Sequence, residues 1–127
     1  MRDELYKTLK RDGFKEEYIS NLGLAKIYDD GSWRDFFRGR IMFPIHNLSG
    51  KVVGFGGRVL GNADKTAKYI NSPENEIYHK SQILYGLHIA KKSIPKENYC
   101  ILVEGYTDVI SLYQAGVENV VSSSGTA

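Results

Sequence analysis

The segment from Ile101 to Val109 constrains the fold of this chain most strongly. Its apolar residues end at Glu104, Gly105 follows, and a second carboxylate, Asp108, comes four positions after the first. This pattern predicts a buried strand, a tight turn and the first turn of a helix. Open parallel sheets bind ligands at the carboxyl ends of their strands. Two carboxylates at that edge suit Mg²⁺, which takes oxygen ligands and usually keeps several waters.

A purely structural interpretation of the same residues stays open. Strands often end in a polar residue, and an acidic side chain in the first turn of a helix is stabilised by the helix dipole. In that interpretation Asp108 caps the helix and holds no metal. The motif taken alone therefore leaves both roles possible.

The remaining sequence predicts a mixed α+β fold. Hydrophobic periodicity and turn residues predict the following elements: helices over 3–11 and 15–21, a hairpin over 26–34, strands over 40–47 and 51–60, a helix over 81–92, and then a strand, a helix and a strand over 99–104, 106–115 and 118–122. The last three elements form a β-α-β unit, which starts a parallel sheet. We therefore expect a small helical lead-in and a mixed or antiparallel sheet, followed by a truncated α/β sheet whose open edge needs further chain or a partner to cover it.

Two features of the predicted central hairpin are unusual for strands. Pro44 cannot donate to a strand ladder, so its strand should lie at an edge or carry a bulge. Three glycines fall within Gly54–Arg58, and glycine weakens a strand by entropy. Either a neighbouring backbone or a ligand approaches closely there, or the strand bends at a bulge.

Charge is distributed unevenly along the chain. Residues 1–37 have a net charge of −1, residues 38–96 have +7, and residues 97–127 have −4. The lysines of the basic segment suit an ordinary solvated surface. Arg38, Arg40 and Arg58 lie instead in strand-like and glycine-rich stretches, where a fixed guanidinium can fork onto phosphate. The distribution resembles a phosphate-binding surface that faces a metal-binding edge.

Several classes of protein are disfavoured by the sequence. No apolar run approaches the ~20 residues that a membrane span needs, and the N-terminal residues lack the apolar core of a signal peptide. Cys100 is the single cysteine; we expect it in a core strand and in a reducing cytosol. His46, His79 and His88 show no zinc-ligand spacing. These features predict a cytoplasmic protein with no membrane partner.

Five motifs in order resemble those of one known family. They are RIMFPI at 40–45, GFGGR at 54–58, KYINSPE at 68–74, HK at 79–80 with LYGL at 84–87, and EGYTDV at 104–109. The chain is similar to the RNA-polymerase core of bacterial-type DNA primases, and the match is closest over residues 35–127. By this resemblance, residues 1–96 are the N-terminal subdomain of the core and residues 97–127 begin the TOPRIM fold.

The resemblance implies an enzyme, a DNA-directed RNA polymerase of the nucleotidyltransferase class. Such primases synthesise short RNA primers on single-stranded DNA during replication, from ribonucleoside triphosphates and with Mg²⁺ or Mn²⁺. Glu104 and Asp108 match the first two acidic positions of the family, so both are implied to be catalytic and to hold the metal. Whether Glu104 is a ligand or the base for the attacking hydroxyl stays open.

The resemblance also implies a surface that contacts the template, the nucleotides or the primer. Its implied members are the following residues: Arg40, Arg58, Lys68, Tyr69, Asn71 and Lys80. Tyr69 either stacks on a base or packs in the core. Asn71 either orients a phosphate or caps the next turn.

The sequence departs from the family in one respect that concerns catalysis. The family uses an Asp-x-Asp beyond the second carboxylate, and no aspartate follows Asp108 in this sequence. We therefore expect the isolated chain to be inactive. The zinc-binding and helicase-binding regions of the family are also absent, so we expect no zinc here and contact with the replicative helicase only through a region outside this sequence. The alternative function is a TOPRIM-like nucleic-acid-binding module without polymerase activity.

Overall fold

The computed structural model describes residues 2–61 and 65–124. Its helices are α1 (Glu4–Arg11), α2 (Glu16–Asn21), α3 (Leu87–Ala90), α4 (Ile94–Glu97) and α5 (Tyr106–Gln114), with a 3₁₀ turn at Lys80–Gln82. Its strands are β1 (Ala25–Ile27), β2 (Trp33–Asp35), β3 (Arg40–His46), β4 (Val52–Val59), β5 (Tyr69–Asn71), β6 (Ile101–Val103) and β7 (Val120–Ser122). Helices and strands are both present, as the α+β prediction requires.

The strands form three small sheets among the described residues. β1 pairs antiparallel with β2, the next sheet has the order β3-β4-β5, and β6 pairs parallel with β7. β3 is an edge strand, as Pro44 predicts. The parallel pairing of β6 with β7 around α5 confirms the predicted β-α-β unit.

The chain divides into two compact units. The first unit contains residues 1–42 and 55–75, and the second contains residues 43–54 and 76–127. This division by compactness does not coincide with the predicted domain boundary after residue 96. That boundary rests on the resemblance of the sequence to a family, and it stays a prediction.

The first unit is held together by α1 and the β1–β2 hairpin. Asp29, Asp30 and Gly31 form the hairpin turn between Tyr28 and Ser32. Gly31 adopts a φ of 82°, a conformation that favours glycine. Trp33 stacks on Tyr6 with ring centroids 4.5 Å apart. Ile19, in α2, is the buried residue of that helix, at 1% exposure.

The second unit has an aromatic and aliphatic core. The core residues are Phe43, Ile45, Val53, Tyr78 and Tyr106, with Ile83 and Tyr85 packed against them. The rings of Phe43 and Tyr106 stack with centroids 5.0 Å apart. All three residues of β7 are buried, so β7 is the fully covered strand of the two-stranded parallel sheet.

The predicted continuous helix over 81–92 is wrong: after the 3₁₀ turn, only Leu87–Ala90 (α3) is α-helical in this range. Gly86 adopts a φ of 85°, which interrupts an α-helix. Just before it, Tyr85 exchanges two backbone hydrogen bonds with Ser122, of 2.8 Å and 3.1 Å. The extended backbone at Tyr85 thus joins the free side of β7 and cannot be helical.

The prediction that β6 is buried is also wrong. Leu102 is 66% exposed, whereas Ile101 and Val103 are half-buried. Cys100 is exposed and precedes β6 rather than lying in a core strand. A short apolar run does not reveal whether one or both of its faces are covered. No helix of the described residues is long and apolar enough to cross a membrane.

Candidate functional site

The predicted acidic residues lie where β6 passes into α5, in the second unit. Glu104 follows the last residue of β6, Gly105 is the N-cap of α5, and Asp108 lies in the first helical turn. Both carboxylates are exposed, so water or a ligand has access to them. The structure therefore places the pair at the carboxyl end of a parallel strand, as the sequence predicts.

Asp108 also has the structural role that the sequence left open. Its Oδ2 accepts a hydrogen bond of 3.2 Å from the backbone N–H of Gly105. A carboxylate here caps one of the free N–H groups of the helix and is favoured by its dipole. This contact engages one oxygen of Asp108, and it orients the carboxylate at the end of β6.

The two carboxylates suit Mg²⁺ that keeps part of its water shell. They do not suit a metal ion whose ligands are all protein side chains. In the part of the chain that the structure describes, no three His, Cys, Asp or Glu residues are grouped so as to hold a metal ion. Mg²⁺ commonly binds through one or two carboxylates and completes its shell with waters and substrate phosphates. Two exposed oxygen donors at a strand end suit that mode.

Five of the predicted binding residues come together in the first unit, around strands β4 and β5. We call Arg40, Arg58, Lys68, Tyr69 and Asn71 the basic strand cluster. In the β4–β5 pairing, Arg58 is opposite Tyr69 and Gly56 is opposite Asn71. The N–H of Val59 donates to the carbonyl of Lys68 at 2.9 Å. The antiparallel register thus brings together residues that are ten or more positions apart in the sequence.

The guanidinium groups of Arg40 and Arg58 are both held by backbone carbonyls. Arg40 Nη1 donates to the carbonyls of Gly57 and Lys68, each at 3.3 Å. Arg58 Nη1 donates to the carbonyl of Val59 at 3.1 Å, and its Cζ lies 5.9 Å from the centre of the Tyr69 ring. Both side chains keep further N–H donors for a ligand, because a guanidinium carries five. Tyr69 is 43% exposed, so it is not the core tyrosine of the alternative interpretation.

The glycine-rich stretch has a packing explanation. A Cβ on Gly57 would lie 2.8 Å from Phe37 Cδ1 and 3.0 Å from Arg40 Cδ. In the second unit, a Cβ on Gly54 would lie 3.1 Å from the Tyr78 ring. Both glycines therefore admit neighbouring side chains rather than a ligand, and Gly57 allows the stem of Arg40 to cross the strand.

Lys80 lies in the second unit, in the 3₁₀ turn, and is half-buried. The structure thus assigns it to a different unit from the basic strand cluster. Its predicted contact with nucleic acid or nucleotide stays a prediction.

The first unit also contains a cavity lined by arginines, which the sequence did not predict. Arg2, Arg38 and Arg40 line it together with Phe36. The sequence did indicate Arg38 as a phosphate-binding candidate, since it lies in a strand-like stretch close to Arg40. It did not indicate Arg2, which is far from both in the sequence and is brought near them only by the fold.

Comparison with known proteins identifies the family. A family model described as the N-terminal domain of the DNA primase catalytic core matches residues 1–91. The chain belongs to the DNA primase family. A second model, described as Toprim-like, matches residues 101–127. The resemblance inferred from the five motifs and the predicted fold class are therefore confirmed.

Individual primases agree with this family assignment. The DNA primase of Streptomyces coelicolor is 45% identical over 125 residues, which are 98% of this chain and 19% of that protein. The RNA polymerase domain of the Mycobacterium tuberculosis primase, solved with a double-stranded DNA oligomer that has a 6-nucleotide overhang, matches with a TM-score of 0.92 and 42% identity. That match covers 100% of this chain and 40% of the solved chain.

A third match is a DnaG primase catalytic domain solved bound to single-stranded DNA. Its TM-score is 0.83 at 43% identity, and the match covers 100% of this chain and 40% of that chain. The chain spans about a fifth of the length of the curated primases that it matches. It is thus similar to one segment of a primase catalytic core.

Proposed function

We propose that this chain forms part of a DNA primase that synthesises short RNA primers on a single-stranded DNA template during replication. The substrates are ribonucleoside triphosphates and the growing RNA primer. The observation that carries the proposal is the position of Glu104 and Asp108 at the carboxyl end of β6, in a chain of the primase family. The proposal places the protein in the cytoplasm, with the replicative helicase as partner of the complete primase.

Primer extension is a nucleotidyl transfer. The 3′-hydroxyl of the primer attacks the α-phosphorus of the incoming nucleotide, the new P–O bond forms, and the bond to pyrophosphate breaks. The hydroxyl proton passes to a base. Negative charge develops on the phosphoryl oxygens and the leaving group, so most of the catalysis is positioning and electrostatic stabilisation. Residues with fixed carboxylates and guanidinium groups are suited to both tasks.

Glu104 and Asp108 are the residues that hold Mg²⁺ or Mn²⁺ in this proposal. When bound, the metal supplies Lewis-acid stabilisation of the phosphoryl oxygens. The bond from the Gly105 N–H holds Asp108 in one orientation. Among the described residues Glu104 accepts no such bond, so its exposed carboxylate is available as a metal ligand or as the base for the hydroxyl.

The basic strand cluster contacts the phosphates of the template or the nucleotide. Arg40 and Arg58 are anchored by carbonyls, so little side-chain entropy is lost when they bind a phosphate. Tyr69 provides an exposed ring beside Arg58, and stacking of a base on such a ring contributes roughly 1–3 kcal/mol. Two solved primase relatives contain DNA, which supports a nucleic-acid ligand for this chain. Lys80 completes the proposed set.

A test of the acidic pair uses a chimaeric primase in which this chain replaces the matching segment of the Escherichia coli enzyme, which is 47% identical over 122 residues. Glu104→Gln should lower primer synthesis by about a hundredfold or more, since metal stabilisation of the transition state contributes several kcal/mol. Incorporation of labelled ribonucleotides on a single-stranded template measures the effect.

Glu97→Gln is the matched control, because Glu97 is an exposed acid at the end of α4 and its loss changes the net charge equally. Circular dichroism checks that both variants fold. Primer synthesis by Glu104→Gln at the level of the control would show that the acidic pair is not catalytic.

A binding module without polymerase activity is the second candidate. It is favoured by the absence, within the described residues, of a third acidic residue grouped with the pair. We expect the isolated chain to bind single-stranded DNA and to make no primers. If the chimaera with the unaltered chain also made none while its DNA binding persisted, the binding module would be the better description.

A further inference from the structure

The second unit contains an open cavity of about 340 Å³ that α3, α5 and β7 line together. We call it the α3–α5 pocket. Its lining includes Ile89 of α3, Ile110 and Tyr113 of α5, and Val120 of β7. Sites for small molecules commonly have a volume of about 300–1,000 Å³, so this pocket is large enough for one. None of the residues named in the proposed function lines it.

The large apolar side chains of the α3–α5 pocket are accessible. Ile89 is 46% exposed, Ile110 is 37% exposed and Tyr113 is 42% exposed. Single exposed apolar residues are ordinary on a protein surface, whereas several around one cavity indicate a binding site. Tyr85 adds a second tyrosine to the lining. Aromatic rings pack well against other rings, and they attract a cation that lies over their face.

Contacts within the second unit hold the walls of the α3–α5 pocket in place. The backbone of Tyr85 pairs with Ser122, and its ring packs edge-on against Tyr106 with centroids 4.7 Å apart. The rings of His46 and His88, which also line the pocket, stack with centroids 4.1 Å apart. A pocket whose walls are already ordered loses less entropy when it binds a ligand.

The α3–α5 pocket has one carboxylate, that of Glu118, and no Lys or Arg of the described residues lines it. Glu118 accepts a hydrogen bond of 3.2 Å from Ser93 Oγ, but none of the ion pairs found among the described residues includes it. An unpaired carboxylate beside an apolar cavity favours a ligand with a positive charge and opposes one with a negative charge.

His88 does not offset that negative charge at neutral pH. Burial, together with the nearby His46 and Lys91, lowers the pKa of His88 below its usual value. Its Nδ1 is buried and has no hydrogen-bond partner among the described residues, so no acceptor stabilises a proton on that nitrogen. Lys91 donates to the carbonyl of Leu48 at 2.7 Å and does not line the pocket. The pocket therefore combines aromatic and aliphatic walls with an acidic group.

We propose that the α3–α5 pocket binds a small aromatic molecule that carries a protonated alkylamine. The aromatic ring packs among Tyr85, Tyr113 and the aliphatic side chains, and the ammonium group pairs with the carboxylate of Glu118. This binding site is additional to the proposed function and contains none of its residues. Its failure would therefore leave the proposed function untouched.

The test compares three probes that share an indole ring: tryptamine is cationic, indole-3-acetamide is neutral and indole-3-acetate is anionic. Ligand-detected NMR with the complete chain measures the three dissociation constants. Tryptamine should bind about two- to fivefold more tightly than the amide, the effect of an exposed ion pair, and the acetate should bind most weakly. Equal affinities, tightest binding of the acetate, or no binding of tryptamine would overturn the proposal.

Two substitutions locate the binding in this pocket. Glu118→Gln should remove the preference for tryptamine over the amide and leave the affinity for the amide unchanged. Glu17→Gln is the matched control, since Glu17 is an exposed acid of α2 and does not line the pocket. Tyr113→Ala should weaken all three probes about tenfold because an aromatic wall is lost, whereas Tyr113→Phe keeps the ring and should retain binding.

Circular dichroism checks that each variant folds. A preference for tryptamine that persists in Glu118→Gln, or unchanged binding by Tyr113→Ala, would contradict the assignment of the site.

The same measurement on the chimaeric primase decides whether a ligand or another part of the primase occupies the pocket. This chain spans about a fifth of the curated primases that it matches. Binding of tryptamine by both the isolated chain and the chimaera supports a ligand site. Binding by the isolated chain alone would show that the rest of the primase covers the pocket, and it would overturn the proposal.

Discussion

Asp35 caps helix α1 from a distant position in the sequence. Asp3 is the N-cap of α1, yet its side chain makes no capping hydrogen bond; it lies 3.5 Å from Lys7 instead. The carboxylate of Asp35, at the end of β2, accepts bonds from the N–H groups of Leu5 and Tyr6 at 2.8 Å and 2.9 Å. Asp35 is 7% exposed, so its loss would leave two helix donors without a partner in a largely dry site.

Asp35→Ala should lower the free energy of unfolding by about 2 kcal/mol, the upper part of the range for a lost helix cap. Asp3→Ala is the matched control and should lower it by no more than about 0.5 kcal/mol, because its ion pair is exposed. Urea denaturation followed by circular dichroism measures both. Equal effects would contradict the assignment of the cap to Asp35.

At the scale of the elements, two glycines differ in what they permit: Gly57, in the strand of the basic strand cluster, and Gly105, beside the proposed acidic pair. Gly57 lies in β4 against Phe37 and the stem of Arg40, and any Cβ there would overlap with them. Gly105 precedes α5 with a φ of −133°, and a Cβ there would only approach Asp108 Oδ2, at 3.6 Å. The first glycine is therefore required by the packing of Phe37 and Arg40 against its strand, and the second is not required by the fold.

Gly57→Ala should destabilise the chain by about 1–3 kcal/mol, as overpacking does, and should weaken binding of single-stranded DNA because Arg40 is displaced. Gly105→Ala should leave the free energy of unfolding within about 1 kcal/mol, since Ala is a poorer N-cap than Gly. Thermal denaturation and fluorescence anisotropy measure the two effects. A stable Gly57→Ala variant with unchanged DNA binding would show that the neighbouring side chains adjust freely.

The predicted helix over 81–92 shows how an element depends on distant residues. Its apolar residues have helical spacing, which is why the sequence predicts one helix there. The backbone of Tyr85 pairs with Ser122, and a Cβ on Gly86 would lie 3.1 Å from Val109 Cγ1. Both contacts involve residues more than twenty positions away, so local periodicity does not contain them.

At the scale of the whole molecule, buried or hydrogen-bonded tyrosines link stability to alkaline pH. Burial raises the pKa of Tyr106 to about 12, although a hydrogen bond with Ser124 acts in the opposite direction. Burial also raises the pKa of Tyr85. In the first unit, the hydrogen bond from Tyr6 to Glu16 raises the pKa of Tyr6 to about 12. Each of these groups holds its proton more tightly in the folded chain.

A raised folded-state pKa gives stability that is complete below the unfolded value near 10 and is lost as the pH rises towards 12. The free energy of unfolding should therefore fall over this interval, with about 2 kcal/mol of the fall from Tyr106. Urea denaturation at a series of pH values measures it. Tyr106→Phe should give a flatter dependence on pH, and a curve parallel to that of the unaltered chain would contradict the role of Tyr106.

The sequence by itself determined the β-α-β unit, the position of Glu104 and Asp108 at the strand end, and the family. These depend on local patterns: an apolar run, a turn glycine, and residue types in a fixed order. Only the tertiary structure decided that Asp35 caps α1, that Gly57 admits Arg40, and that Arg2 joins Arg38 around one cavity. Each of those contacts joins residues distant in sequence, and their proximity follows from packing, which no local pattern records.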